Sequence, residues 1–265
     1  MNGRVLIVAG SDSSGGAGIQ ADIKTVTALG GYAATAITAL TVQNTLGIFA
    51  TMPVDALFVR QQMEAVLGDI GADCIKTGML ADAEIIAAVA DALATVPHIP
   101  LVIDPVLCST SGTPLLDATA IGVLKERLIA RAAVLTPNVP EAKALLGRAI
   151  VDAAAMEAAA RSLRALGAAT VMLKGGHLEG DIVRDVVVEG DRRYVLESPR
   201  VKTRHTHGTG CTLASAIATG LAQGLGTRAA IERAHAYVQE AIRTAPGLGQ
   251  GRGPLNHAHT VRDEP

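Results

Sequence analysis

The sequence contains no tryptophan, and aromatic residues of any kind make up only 2% of its 265 positions. Surfaces on which nucleobases could stack are therefore scarce, and no block of basic residues is present to hold a phosphate backbone. No apolar run approaches the roughly 20 residues that a helix needs to cross a bilayer. These absences argue against nucleic-acid partners and against insertion into a membrane.

Cysteine is also scarce. Cys74, Cys108 and Cys211 are an odd number and show no CxxC spacing, so neither a disulfide framework nor a zinc ribbon is indicated. The N-terminal apolar run VLIVA is too short for the core of a signal peptide. Together with a near-balanced formal net charge of −2, these features predict a protein of the reducing cytoplasm.

The sequence is rich in short β-branched runs that alternate with alanine-rich segments of helical periodicity. The runs predict strands at 4–10, 35–43, 74–79, 101–106, 133–138 and 170–176. The segments predict helices, most clearly at 55–68, 82–95, 117–130, 152–167, 208–223 and 227–243. This alternation is typical of a mainly parallel sheet. Because the runs are apolar throughout, we expect helices on both faces of that sheet.

One pair of runs departs from this pattern. DVVVEG at 185–190 and RRYVLES at 192–198 flank a glycine-aspartate turn, which predicts a small antiparallel hairpin at an edge of the sheet. After the last helical segment, PGLGQGRGP breaks the chain, and residues 256–265 have the composition of a polar, mobile tail. Since no repeat or linker interrupts the pattern, we predict one α/β domain over 1–265.

Polar residues follow most of the predicted strands. In an open parallel sheet, ligands bind outside the carboxyl ends of the strands. Those ends carry Gly10, Ser11 and Asp12, then Gln43 and Asn44, Gly78 and Met79, Asp104 and Pro105, Asn138 with Glu141 nearby, and Lys174. A set of acids, amides and a lysine on one rim suits a phosphate and metal site better than an apolar pocket.

The first glycine-rich loop, GSDSSGGAGIQAD, follows the first strand and opens a helix. Residues 16–21 fit the loose dinucleotide pattern, but that pattern also requires an acid about 20 residues later, at the end of the second strand. Here that strand ends in Gln43 and Asn44, and the next acid after Asp22 is Asp55. A Walker A loop is excluded because the chain contains no Gly-Lys pair. The serines and the aspartate of the loop suit a small polar ligand instead.

The second glycine-rich stretch, HTHGTGCTLASA, begins another helix. Its glycines allow the backbone to approach a ligand, and the amides of 208–211 lie at the positive end of the helix, which favours an anion such as phosphate. A second interpretation is a helix capped by Thr206 or Thr209 with an inert, buried Cys211. A third is a metal site on the two histidines and the cysteine, for which no fourth ligand has suitable spacing.

Five motifs together resemble those of the hydroxymethylpyrimidine and phosphomethylpyrimidine kinases of thiamin biosynthesis. They are AGSDSSGGAGIQAD, VIDPV, TPNVPEA, LKGGH and THGTGCT, at 9–22, 102–106, 136–142, 173–177 and 206–212. They span almost the whole chain in the order found in that family. The resemblance implies a ribokinase-like fold, a three-layer α/β/α sandwich. It also implies transfer of phosphate from ATP to 4-amino-5-hydroxymethyl-2-methylpyrimidine, and then to its monophosphate to give the pyrophosphate.

The resemblance implies a chemical role for the second glycine-rich stretch. The turn Gly208, Thr209 and Gly210 resembles the family's anion hole, and Cys211 stands where the family has its catalytic base. Most other ribokinase-like enzymes have aspartate there. Because a helix N-terminus lowers the pKa of a thiol, we expect a depressed pKa for Cys211. Phosphoryl transfer depends mainly on positioning and charge neutralisation, so a modest base suffices.

Further roles follow from the same resemblance. The acids that organise Mg²⁺ in the family match Asp104 and Glu141. Its ATP contacts match Lys174, Asn138 and Thr206. Its residues around the pyrimidine match Gly10, Asp12, Ala17, Gln43, Met79 and Val106. The family's members are commonly homodimers, so the resemblance also implies a second copy of the chain as partner.

Two alternatives remain open. A pyridoxal kinase shares the first loop and the GxGC turn, but Gln43 favours the pyrimidine, because a primary amide can pair with the adjacent donor and acceptor of an aminopyrimidine. Activity on both substrates is compatible with the sequence. A catalytically silent binder would have lost the chemical residues, and this chain retains Cys211, Lys174, Asp104 and Glu141.

Overall fold

The computed structural model describes residues 1–108 and 115–261. Residues 109–114, and residues 262–265 of the predicted tail, lie outside the described residues. Nine strands form one sheet: β1 Arg4–Asp12, β2 Tyr32–Asn44, β3 Gly47–Pro53, β4 Cys74–Thr77, β5 Leu101–Ile103, β6 Val134–Leu135, β7 Thr170–Leu173, β8 Ile182–Glu189 and β9 Arg192–Pro199. The helices are α1 Gly18–Ala28, α2 Ala56–Gly68, α3 Ala83–Ala94, α4 Ala118–Arg127, α5 Val139–Leu146, α6 Ala153–Arg164, α7 Thr209–Ala222 and α8 Thr227–Arg243.

The sheet is mainly parallel, as predicted. Its strands are ordered β3-β2-β1-β4-β5-β6-β7-β8-β9, and the six from β2 to β7 in this order are parallel. β3, β8 and β9 run antiparallel to their neighbours. The chain changes its direction of progress across the sheet at β1, which lies between β2 and β4. The carboxyl ends of these strands therefore open a crevice at a topological switch point.

Helices cover both faces of the sheet, so the predicted three-layer α/β/α sandwich is confirmed. Successive side chains of β1 enter different cores. Leu6 and Val8 are buried with residues of α2, α3, α4 and α6, whereas Val5 and Ile7 are buried with residues of α1, α7 and α8. Because both faces are covered, the central strands are apolar at most positions, which explains the continuous runs in the sequence.

Four of the helices packed on the sheet are capped by aspartate. The side chains of Asp55, Asp82, Asp117 and Asp152 each accept a hydrogen bond from a backbone N–H in the first turn of α2, α3, α4 and α6, respectively. Such a cap contributes about 1 kcal/mol. α1 and α7, whose N-termini face the crevice, have no side-chain cap. The first turn of α7 therefore presents backbone amides to the crevice, whereas the Gly18 N–H of α1 is taken by the Cys211 sulfur.

The predicted hairpin is confirmed as β8 and β9, and β9 forms one edge of the sheet. The sequence analysis missed a second hairpin, β2 and β3, which forms the opposite edge. β3 is largely exposed and therefore lacks the apolar run of a central strand. Its turn is Thr45-Leu46, which carries neither glycine nor asparagine and so gives no hairpin signal.

The described part of the C-terminal tail differs from the mobile segment that we expected. Residues 257–260 form a short 3-10 helix, and both Leu255 and His257 are buried. The Thr212 hydroxyl lies 3.0 Å from His257 Nε2, which attaches the tail to α7. None of the described helices combines the length and the apolar character that a membrane-spanning segment needs.

Candidate active site

A cavity of about 870 Å³ opens at the carboxyl ends of the parallel strands. It extends from the end of β2, past the N-termini of α1 and α7, to residues of β8 and α8. All fifteen residues that the sequence analysis selected line this cavity: Gly10, Asp12, Ala17, Gln43, Met79, Asp104, Val106, Asn138, Glu141, Lys174, Thr206, Gly208, Thr209, Gly210 and Cys211.

The first glycine-rich loop is organised around Asp12, a buried residue at the end of β1. Its carboxylate accepts hydrogen bonds from Ser14 N and Oγ, both at 2.8 Å, and from the N–H groups of Gly16 and Ala17 at 3.2 and 2.8 Å. Burial raises the pKa of Asp12, but the hydrogen bonds from His207 and Ser14 outweigh it and lower that pKa to about 2. These loop amides therefore serve an internal carboxylate, which removes the support for a dinucleotide-binding loop.

His207 and Gly208 hold the two glycine-rich loops together. His207 Nε2 lies 2.8 Å from Asp12 Oδ2. A Cβ at Gly16 would lie 2.5 Å from His207 Cδ2, and a Cβ at Gly208 would lie 1.9 Å from the Gly16 carbonyl oxygen. Gly208 also has a φ of 84°, which favours glycine. The sequence analysis considered His207 only as a metal ligand, yet the described residues hold no group of three His, Cys, Asp or Glu that could bind a metal ion.

The N-terminus of α7 presents uncapped amides to the cavity. Gly208 is the N-cap residue, and no side chain caps the helix. Thr209 Oγ1 instead donates to the Thr206 carbonyl oxygen at 2.7 Å, so the interpretation of a threonine-capped helix is wrong. The N–H groups of Gly210 and Cys211 have no acceptor within the helix, because the first turn never provides one. They can bind an anion that enters the cavity.

A lysine and two acids stand beside these amides. Lys174 Nζ lies 3.0 Å from Asp104 Oδ1 and 4.0 Å from Glu141 Oε2. A Cβ at Gly210 would come within 3.2 Å of both Lys174 Nζ and Asp104 Oδ2, so only glycine leaves this space open. Burial lowers the pKa of Lys174, but the two acids outweigh it and raise that pKa. The lysine therefore stays charged next to the uncapped amides, an arrangement that suits a phosphoryl group.

Glu141 and Asn138 form the capping box of α5. Asn138 Oδ1 accepts from the Glu141 N–H at 2.8 Å, and Glu141 Oε2 accepts from the Asn138 N–H at 2.7 Å. Burial raises the pKa of Glu141 to about 7; Asp104 adds to this rise and Lys174 opposes it. One oxygen of each side chain is thus committed to the helix. A ligand contact would come from Asn138 Nδ2 or from Glu141 Oε1.

The Cys211 thiol is partly exposed and accepts a hydrogen bond from the Gly18 N–H. Burial is the largest influence on it and raises its pKa to about 12; Asp22 and Asp104 act in the same direction, and Lys76 opposes them. Our expectation of a depressed pKa is therefore wrong, because desolvation outweighs Lys76 and the hydrogen bond from Gly18, which lower it. The thiol of the ligand-free protein is protonated at neutral pH.

An ion pair that the sequence analysis missed lies beneath Cys211. Lys76 Nζ lies 2.9 and 2.8 Å from the two carboxylate oxygens of Asp22, and Ser215 Oγ donates to Asp22 Oδ1 at 2.6 Å. Lys76 and Asp22 are both fully buried. The available signal was a lysine inside the apolar run CIKTGM and an aspartate inside an apolar helix.

The end of the cavity near β2 combines one polar and one apolar wall. Gln43 Oε1 lies 3.1 Å from Thr41 Oγ1, and Gln43 Nε2 lies 3.3 Å from His207 Nε2. On the apolar wall, the Met79 methyl group covers Gly10 so closely that a Cβ there would lie 2.4 Å from it. This end suits a flat ring with polar groups on one edge.

The opposite end of the cavity was not predicted. Its apolar lining comes from β8, the segment after β9, and α8: Val183, Val201, Val238 and Ile242. His235 and Gln239 of α8 add polar groups to the same wall. Asp185 also lines it and accepts a hydrogen bond from the Gly175 N–H at 2.8 Å. The helical spacing of the two apolar α8 residues was visible in the sequence, but nothing there distinguished a cavity wall from core packing. An apolar slot of this kind suits a nucleobase.

Comparison with known proteins agrees with this geometry. A family model described as phosphomethylpyrimidine kinase matches residues 12–256. The chain is 52% identical to the thiamine biosynthesis bifunctional protein ThiED of Geobacter sulfurreducens, over 98% of this chain, but it spans only 54% of that protein's length. It is 45% identical to the hydroxymethylpyrimidine/phosphomethylpyrimidine kinase of Haemophilus influenzae, over 96% of each chain. A crystal structure of Bacillus subtilis pyridoxal kinase, in complex with ADP, has a TM-score of 0.90 and 35% identity, and covers 97% of this chain and 98% of that one.

Proposed function

This chain belongs to the phosphomethylpyrimidine kinase family, and we propose that it transfers phosphate from Mg-ATP to 4-amino-5-hydroxymethyl-2-methylpyrimidine and then to the resulting monophosphate. The main support is one juxtaposition. The uncapped turn at Gly210, the Lys174 ammonium and the Gln43 amide all face the same cavity. A phosphoryl group held at the turn would thus share one cavity with the polar edge that would bind the acceptor.

The acceptor belongs at the end near β2. Gln43 can pair with the adjacent donor and acceptor of an aminopyrimidine, and Met79 packs against one face of the ring. The remaining contacts come from Gly10, Asp12, Ala17 and Val106. In this pose the hydroxymethyl group points along the cavity towards Cys211 and the first turn of α7.

ATP belongs at the other end. Its adenine occupies the apolar slot between β8 and α8, and its phosphates extend towards Lys174, with Asn138 and Thr206 alongside. The amides of Gly210 and Cys211 hold the transferring phosphoryl group, because they point at the place where negative charge is concentrated. Lys174 neutralises part of that charge. Catalysis here is chiefly positioning and electrostatic stabilisation.

Asp104 and Glu141 fit a magnesium ion that arrives with the nucleotide. Both carboxylates are buried at the cavity wall and face one lysine. Two acids are too few for an all-protein cage, but Mg²⁺ is commonly held by one or two carboxylates, phosphate oxygens and waters. When bound, the ion neutralises charge on the phosphates. Asp104 and Glu141 would hold it, directly or through water.

Cys211 is our candidate for the residue that assists as a general base. Its resting thiol is protonated, so it can orient the acceptor hydroxyl by hydrogen bonding before it can accept a proton. A loose transition state places little demand on early proton removal. The second transfer differs, because a phosphate monoester acceptor has no proton that must leave. Cys211 is therefore required mainly for the first transfer.

Phosphorylation of pyridoxal is a second candidate function. The Bacillus subtilis pyridoxal kinase shares 35% of its sequence with this chain across nearly its whole length, so the fold accommodates either ring. Gln43 favours the aminopyrimidine, since pyridoxal presents a phenol and an aldehyde where the aminopyrimidine has an adjacent donor and acceptor.

Incubation of the purified protein with Mg-ATP and either substrate, followed by mass spectrometry, tests the proposal. We expect mono- and diphosphorylated pyrimidine, with any pyridoxal phosphate as a minor product. Pyridoxal phosphate alone would make the second candidate the function. Absence of product from both substrates, together with ligand-induced thermal stabilisation, would indicate a silent binder.

We also propose that the protein is a cytoplasmic homodimer. All three cysteines are free, in keeping with a reducing compartment. The β2–β3 hairpin and the start of α2 carry exposed apolar side chains: Val42, Leu46, Phe49, Met52, Leu57 and Phe58. A group of exposed apolar side chains in one stretch of the chain supports an interaction surface there. Light scattering should give the mass of a dimer for the natural chain and of a monomer for Phe49→Glu.

A further inference from the structure

Three side chains from three separate segments meet at the polar wall of the cavity. His207 Nε2 lies 2.8 Å from Asp12 Oδ2 and 3.3 Å from Gln43 Nε2. Asp12 and His207 are both buried. Gln43 Oε1 in turn lies 3.1 Å from Thr41 Oγ1, which itself lies 2.9 Å from the Ser11 carbonyl oxygen. One imidazole nitrogen is therefore shared between a carboxylate and an amide.

The Asp12 carboxylate determines whether His207 Nε2 carries a proton. Four N–H and O–H groups of its own loop already donate to Asp12, so Asp12 is an acceptor only. His207 Nε2 must then carry a proton and donate it. A protonated Nε2 has no lone pair, so it cannot accept a hydrogen bond from the Gln43 NH₂ group.

The Gln43 amide has a better orientation. A half-turn of its terminal torsion exchanges the nitrogen and the oxygen. The oxygen then faces the Nε2–H of His207, whose proton it shares with the nearer Asp12 Oδ2. The NH₂ group faces Thr41 Oγ1, which can accept because its own proton goes to the Ser11 carbonyl oxygen. Every donor in the chain then meets an acceptor. The second lone pair of the oxygen and the second N–H of the amide remain for a ligand.

We propose that His207 is a specificity-determining positioning residue, which fixes the direction in which the Gln43 amide faces the acceptor ring. Asp12 fixes the His207 tautomer, and His207 fixes the amide oxygen on its own side. The amide then binds the substrate ring in one orientation only, with the hydrogen-bond donor of the ring on the His207 side and its hydrogen-bond acceptor on the Thr41 side. This inference rests on the proposed function, and it assigns to His207 a contact with Gln43, not with the reacting atoms.

Binding measurements without ATP test the proposal. His207→Leu fills the volume but donates no proton, and we expect the dissociation constant of the aminopyrimidine to rise about tenfold, which corresponds to about 1.4 kcal/mol. His207→Gln restores a donor near the Nε2 position, so its value should stay within about threefold of the natural chain. His205→Leu, in the same loop but away from the cavity, is the matched control and should change nothing.

A double-mutant cycle separates positioning from a general structural effect. In a Gln43→Leu background, His207→Leu should weaken aminopyrimidine binding no further, because the group through which it acts is gone. In His207→Leu alone, the KM for ATP and the kcat at saturating aminopyrimidine should differ from those of the natural chain by less than about threefold. Additive losses in the double variant, or an equal change in the KM for ATP, would overturn the proposal.

An NMR measurement decides the same question without turnover. In ¹⁵N-labelled protein, the Gln43 side-chain amide signals should shift and broaden in His207→Leu and remain unchanged in His205→Leu. If they are unchanged in both variants, His207 does not orient the amide and the inference fails. If the natural chain neither binds nor phosphorylates the aminopyrimidine, the proposed function fails instead, and the amide signals still decide the role of His207.

Discussion

Two lysine–aspartate pairs lie near the N-terminal part of α7, one against Ser215 and one against Gly210, and they differ in how completely they are enclosed. Lys76 and Asp22 have fully buried side chains, and three hydrogen bonds satisfy the carboxylate. Lys174 and Asp104 are joined by one contact at 3.0 Å, and the lysine side chain is 13% exposed to the cavity. We call Lys76 and Asp22 the closed pair, because their charged groups contact only the protein. We call Lys174 and Asp104 the open pair, because they can still bind a ligand.

The difference indicates what each pair does. A charge removed from water needs its partner at all times, so a closed pair holds elements together and takes no part in binding. An open pair can exchange its internal contact for phosphate or metal without leaving a charge buried alone. Groups of both pairs act on the pKa of the Cys211 thiol, namely Lys76, Asp22 and Asp104. The following changes separate the two roles.

Breaking the closed pair should have the largest effect on stability. Lys76→Met leaves Asp22 buried without its cation, and such a loss costs about 3–5 kcal/mol of the free energy of unfolding. Chemical denaturation followed by circular dichroism measures it. Replacement of both partners, as Asp22→Leu with Lys76→Met, should recover most of the loss, because no charge is then buried alone. A single variant as stable as the natural chain would contradict this account.

Breaking the open pair should reduce activity with a smaller loss of stability. Lys174→Met removes the cation beside the phosphoryl site, and the loss of one such contact lowers kcat by about 10²–10³. Asp104 and Glu141 then face the cavity, where water or a proton can compensate them. Steady-state kinetics and denaturation of the same preparation provide both readings. A stability loss as large as that of Lys76→Met would show that the two pairs are equivalent.

Removal of the Cys211 thiol, on which both pairs act, should distinguish the two phosphorylations. We expect Cys211→Ala to slow phosphorylation of the hydroxymethylpyrimidine by about tenfold to a hundredfold, at or below the usual contribution of a positioned base because the thiol is protonated at rest. Phosphorylation of the monophosphate should fall by less than about threefold. Separate assays with the two acceptors measure this. Equal losses would mean that Cys211 serves the nucleotide side in both reactions.

The open pair was predictable from the sequence and the closed pair was not. Asp104 and Lys174 each follow an apolar run, and parallel strands bring their carboxyl ends to one edge. Lys76 and Asp22 lie inside apolar segments 54 residues apart, and no local pattern says that they meet. The prediction of a lowered pKa for the Cys211 thiol was wrong for a related reason. The position of a residue in a helix can be inferred from the local sequence, whereas its desolvation depends on the whole surrounding fold. β3 was missed because an exposed edge strand needs no apolar run.

The smallest effect concerns Glu141, the second acid near Lys174, whose pKa is raised by burial from 4.5 to about 7. Between these two values the folded protein holds a proton that the unfolded chain has released, so the contribution of Glu141 to stability decreases as the pH rises through this window. Binding of Mg-ATP needs the ionised form, so nucleotide affinity should increase over the same range and level off above pH 7 or so. Titration calorimetry in buffers of different ionisation enthalpy should detect proton release on binding at pH 7. Glu141→Gln keeps an acceptor for the capping box and should abolish both the proton release and the slope. If the slope persists in that variant, a group other than Glu141 is responsible for it.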